Sequence, residues 1–169
     1  MSGRRSPVPR AAWLAGLLAA GLPAWLGAAD AAAIDADAAA RAKTRELLAY
    51  GIDTQVLEVV AKLGAARDTD YTEELAALLD PARSPEVRTA VFALFADLGA
   101  GEGEPAALAI VADPPAGAPS LTAAAVAYLA TRKPPGLAAR LLPLVDSPDA
   151  VVASTALRVI GETRDPAAR

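Results

Sequence analysis

From residue 41 onward, apolar side chains recur at three- and four-residue steps. Leu47, Leu48, Val56, Leu57, Val59, Val60 and Leu63 set the rhythm. That spacing is the signature of helices with one buried face. Gly51 and Gly64 are expected to end two of these helices, and Asp53 with Thr54 to cap the one between them. Beyond Asp70 a longer period emerges. YTEELAALLD, EPAALAIVAD and PGLAARLLPLVD each precede a proline-containing turn and a second apolar stretch. The closing residues Asp80, Asp113 and Asp146 stand 33 residues apart, and Leu98, Leu129 and Ile160 stand 31 apart. Such fixed spacing predicts stacked supersecondary units, each a helix, a turn and a second helix.

Proline sharpens these boundaries. The residue before a proline avoids helical geometry, so a first helix should end there. Ser84-Pro85 and Ser147-Pro148 read as a capping serine followed by proline in the first helical turn. Pro143 falls inside a predicted helix and should kink it or delay its start. In the second helix of the first unit, Val87, Ala90, Val91, Leu94 and Leu98 line one side, and Phe92 and Phe95 widen the stripe. One helix pair cannot cover so broad a surface, whereas stacked neighbours can.

Composition supports helices. The 169-residue chain is 54% hydrophobic but only 4% aromatic, so its core is built from Leu, Val, Ile and Ala. Small side chains suit close helix packing, and strands favour more β-branched and aromatic residues. The expected fold class is all-α, an α-α solenoid of short helix-turn-helix repeats.

The first thirty residues differ. Arg4, Arg5 and Arg10 precede an uncharged stretch from Ala11 to Ala29, which ends in small residues. Basic start, apolar middle and small-residue end match a secretory signal over residues 1–29, with cleavage after Ala29 or Ala31. The competing reading is an uncleaved signal anchor, since 19 uncharged residues approach the ~20 that span a bilayer. Alanine, glycine and Pro23 weaken stable insertion. An Ala/Asp-rich linker then covers residues 30–40, and the repeat domain residues 41–169. This predicts a periplasmic or secreted protein, or one anchored in the inner membrane and facing the periplasm. Membrane contact is expected only through an uncleaved N-terminal segment.

Charge narrows the partners. The net charge is −4; losing a leader that ends at Ala29 leaves 13 basic and 20 acidic residues. No basic face offers itself to a phosphate backbone, so no nucleic acid is expected. The chain has no cysteine and no histidine. Thiolate nucleophiles, disulfides, Cys/His zinc sites and histidine-based triads are therefore excluded. Glu73-Glu74 suits a helix start, where acids meet the dipole favourably. Asp68 and Asp70 lie near Glu73 without the calcium-loop pattern, and read as a solvated linker. Gly99-Ala-Gly-Glu-Gly103 lacks the Lys-Ser/Thr sequel of a phosphate loop and reads as an inter-repeat connection. No metal, cofactor or catalytic residue is expected.

Two stretches carry a family resemblance. Pro85-Glu-Val-Arg-Thr-Ala90 is similar to the opening of the second helix of HEAT repeats, and Ala156-Leu-Arg-Val-Ile-Gly-Glu162 resembles its close. Asp165-Pro166 resembles the linker into a further repeat, which suggests a repeat domain incomplete at its C-terminus. The units are shorter than the standard ~40–47 residues. They are closer to the compact repeats of phycobilisome-lyase-like proteins. The resemblance covers residues 70–169, and 41–69 more loosely. It implies that Arg88 pairs with an acid on a neighbouring helix. It also implies that the second helices line a concave binding side. The polar or amphipathic candidates there are Arg88, Thr89, Tyr128, Arg132, Ser154 and Arg158. The middle unit departs from the pattern: Leu121 and Thr122 stand where an arginine is expected, and the closing glycine is missing. The function this implies is a non-catalytic scaffold for an unidentified protein partner. The alternative is an accessory or adaptor portion of an enzyme, lyase-like or a cofactor chaperone.

Overall fold

The computed structural model describes the backbone of residues 25–163 and side chains from residue 36 onward. The predicted leader up to residue 24 and the Asp165-Pro166 linker lie outside the described residues. Among the described residues the chain is all-helical. Its eight helices are α1 (Trp25–Tyr50), α2 (Asp53–Ala66), α3 (Thr72–Ala77), α4 (Pro85–Leu98), α5 (Glu104–Ala112), α6 (Pro119–Arg132), α7 (Leu137–Val145) and α8 (Ala150–Thr163). The predicted cleavage positions fall within α1. A compact unit begins at Ala39, and the described residues 25–38 fall outside it. Among the described residues, no helix is long and apolar enough to cross a membrane.

The sequence period becomes a length pattern. Helices α2, α4, α6 and α8 have 14 residues each, while α5 and α7 have nine. The longer helices pack in series, α2 on α4, α4 on α6 and α6 on α8. Each short helix lies against its own partner, α5 on α6 and α7 on α8, and α5 also touches α7. The buried stripe of α4 is Val87, Val91, Phe92, Leu94 and Phe95, with Ala90 and Leu98 half-buried against the same core.

Helix ends follow local chemistry, not always at the expected residue. Gly51 closes α1, because a Cβ there would collide with the Leu47 carbonyl. Gly64 does not end α2. It lies inside the helix, where a Cβ would come within 3.3 Å of Leu94 Cδ1 on α4. Its smallness therefore serves helix approach, and Arg67 makes the left-handed cap instead, with φ 51°. Lys133 likewise takes the left-handed position after α6, at φ 52°, in place of the missing glycine. Asp53 and Thr54 do not cap α2: Ile52 holds the capping position, and its N–H donates to Gln55 Oε1 at 3.3 Å. Asp53 instead occupies the first turn, where its charge meets the helix dipole.

The Ser84-Pro85 start of α4 is as expected, with Ser84 Oγ accepting from Val87 N at 3.4 Å. The start of α8 is not. Asp149 is the capping residue there, and its Oδ1 accepts from Val151 N and Val152 N at 2.9 and 3.2 Å. A carboxylate with two backbone donors in reach displaces the serine hydroxyl from that role. Helix α7 begins at Leu137 and retains Pro143. Pro143 and Ala139 are both exposed, so the Ala139 carbonyl that loses its intrahelical donor faces water.

Leu94 is buried between α2 and α4. Leu94→Ala is expected to lower stability by roughly 2–5 kcal/mol, since a cavity remains where the side chain was. Urea denaturation followed by circular dichroism measures it, and an unchanged midpoint would refute this packing.

Candidate functional site

Six polar candidates were expected on the second helices, and the structure scatters them. Tyr128 is fully buried, and its ring centroid lies 5.6 Å from that of Phe92 and 6.4 Å from that of Phe95. Its hydroxyl donates to the Ala100 carbonyl at 2.8 Å. Tyr128 is thus a core residue and not a surface contact. The ring fills the α4–α6 joint while its polar tip ties down the following loop. Arg132 works beside it, its Nη1 donating to the Gly99 carbonyl at 2.8 Å. Both side chains hold the end of α4, where unpaired carbonyls favour a cation. The glycines of this loop allow that closeness: a Cβ at Gly103 would stand 2.8 Å from Phe95 Cδ2 and 3.3 Å from Tyr128 Cζ.

Ser154 and Arg158 lie exposed on α8. Ser154 Oγ donates back to the Val151 carbonyl at 3.2 Å, and Arg158 pairs with Glu162 one turn on at 3.0 Å. Exposed pairs of this kind stabilise little.

Arg88 and Thr89 are neighbours in α4 but line different hollows. Thr89 belongs to an open groove of about 420 Å³ between α4 and the start of α6, with Pro85, Ala93 and Pro119. Arg88 belongs to a groove of about 460 Å³ with Leu79, Pro81, Ala106, Ile110, Asp113 and Pro115. A third hollow, about 640 Å³, runs from Pro115 and Pro119 to Pro143, Asp146 and Asp149. All three adjoin the Pro114–Pro119 turn. The concavities are therefore at the proline turns as well as along the second helices.

Arg88 does not pair with an acid on a neighbouring helix. Its residue is only 8% exposed, its Nε is buried without a hydrogen-bond partner, and no ion pair reaches it among the described residues. Acids earlier in the chain are engaged elsewhere. Glu74 pairs with Arg45 at 2.7 Å, and Asp70 with Arg41 at 3.3 Å. Asp80 turns onto its own loop, its Oδ1 accepting from Ala82 N at 2.8 Å. The fourth position of α6 holds Thr122, the other buried polar residue. Its hydroxyl reaches the Ala118 carbonyl at 3.5 Å.

Sequence reasoning missed Arg83. Its guanidinium donates to the carbonyls of Leu48, Ala49 and Gly51 at 3.3, 2.6 and 3.4 Å, which caps the C-terminus of α1. An arginine in a proline-bounded turn carries no marker for such a reach. Asp113 was read only as a period marker, and it lines the same groove as Arg88. Among the described residues, no group of three or more acids could hold a metal ion. Neither known protein families, curated proteins nor solved structures give a match to this chain.

Burial raises the Tyr128 phenol above its ordinary value, with Arg132 beside it pulling the other way. An acid whose folded pKa is raised stabilises the fold below its unfolded pKa, and that contribution is lost as pH rises through the folded value. Tyr128→Phe should therefore reduce the fall in stability as pH rises above the ordinary phenol value of about 10. At neutral pH it should cost about 0.5–1.5 kcal/mol, the net value of the lost hydrogen bond. Thermal melts from neutral pH upward measure both effects.

Proposed function

We propose that this chain is an exported, non-catalytic scaffold of short HEAT-like helix pairs, a small α-solenoid that binds a partner protein in the cell envelope. The observation that carries this reading is the serial packing of equivalent helices, α2 on α4 on α6 on α8. Repeats stacked this way expose the same kind of groove at each joint, and binding by such arrays uses those concave surfaces. Hollows on both sides of the Pro114–Pro119 turn supply that surface here. Their linings are apolar with a few polar groups, the composition that suits a peptide segment or protein edge.

Export rests on the N-terminal pattern of basic, apolar and small residues. Sequencing the N-terminus of the exported protein should begin at Asp30 or Ala32, and a retained Trp13 would refute cleavage. Affinity capture with the full-length protein from the cell envelope tests the scaffold itself. The expected result is a specific protein partner retained by the folded chain and lost when the chain is unfolded in urea. Recovery of no specific partner would overturn the reading.

A further inference from the structure

A buried guanidinium nitrogen without a partner, as Arg88 Nε is, is a costly feature. The desolvated charge is ordinarily compensated by a carboxylate or by several carbonyls. Arg88 has neither among the described residues. Its side chain lines an open groove whose other walls, Leu79, Pro81, Ala106, Ile110 and Pro115, offer no acceptor side chain. Asp113 lines the same groove but forms no ion pair with Arg88.

We propose that the Arg88 groove takes a single carboxylate side chain, carried on an apolar segment of the partner protein. This deepens the scaffold reading and rests on it for the identity of the occupant as a protein. Three observations select that chemistry. Guanidinium and carboxylate match as planar, doubly hydrogen-bonded partners, and the pairing strengthens away from water. The apolar walls bury the flanking residues of the segment. Asp113 and the net charge of −4 oppose an acidic run, so one carboxylate enters and a string of them does not. The groove has about 460 Å³, room for a few side chains rather than a folded domain.

The test follows the Arg88 Nε–Hε resonance in the full chain made with nitrogen-15 arginine. The probe is a capped pentapeptide, Ala-Leu-Glu-Leu-Ala, alongside its glutamine twin and a peptide with three successive glutamates. The glutamate peptide should shift the resonance saturably. The glutamine twin should bind about tenfold or more weakly, because it loses a charge-assisted hydrogen bond. The triple-glutamate peptide should bind no better than the single one. No saturable shift, or equal binding by the glutamate and glutamine peptides, would overturn the proposal.

A second arm separates this claim from the scaffold itself. Arg88→Met, checked for folding by circular dichroism, should lose the captured partner. If folded Arg88→Met retains that partner as well as the native chain does, the groove is not the contact, while the scaffold stands. If the native chain captures nothing yet the glutamate peptide binds, the groove stands and the scaffold falls. The peptide titration needs no variant, so a folding defect in Arg88→Met leaves the proposal open to refutation.

Discussion

The fold depends on apolar surface that each helix pair exposes and only its neighbour can cover. Helix α4 shows this most clearly. Its stripe of valine, leucine and phenylalanine meets α2 on one side, through Leu94 against Gly64, and α6 on the other, through Phe92 and Phe95 against Tyr128. Burial of apolar area contributes ~25 cal/mol per Å², so each interface stabilises the fold in proportion to the surface it covers. Small residues make the approach close enough for that burial. Gly64 and Gly103 both sit where a Cβ would press on a side chain of the next layer.

Polar contacts then fix what apolar burial leaves loose. The C-terminus of α1 is held by Arg83, and that of α4 by Tyr128 and Arg132. In each case the donor comes from a later part of the chain than the carbonyls it satisfies. These two helix ends are thus finished by later segments, which couples neighbours electrostatically as well as by packing. Arg88 breaks this economy. It is buried in a second helix, yet its Nε has no hydrogen-bond partner, and the residue lines a groove in which Asp113 forms no ion pair with it. The corresponding position in α6 carries a threonine that satisfies itself on its own helix. That contrast sets Arg88 apart from Thr122, whose hydroxyl is engaged within its own helix.

Helices and their order were legible because periodicity reports burial directly. The 33-residue step and the prolines marked the turns, and Val87, Val91, Phe92, Leu94 and Phe95 are buried as the stripe required. Caps were less legible, since several residue types compete within one turn. Asp149 outranked Ser147, and Gly64 turned out to serve packing, a role that needs the neighbouring Leu94 to be recognised. The candidate site was the least legible part. Tyr128 reads as amphipathic in one dimension, and only the aromatic cluster makes it core. That Arg88 Nε is buried without a partner while Asp113 lines the same groove is a matter of three-dimensional placement that no linear spacing encodes.

The central claim is that α4 and α6 are joined through their aromatic side chains. Two phenylalanines, three tyrosines and two tryptophans make the ring region of the proton spectrum sparse enough to assign. Nuclear Overhauser contacts between the rings of Phe92 and Tyr128, 5.6 Å apart between centroids, measure the joint directly. The account predicts strong cross-peaks from Tyr128 to both Phe92 and Phe95. A folded, helical chain in which Tyr128 shows contacts to neither ring would contradict it.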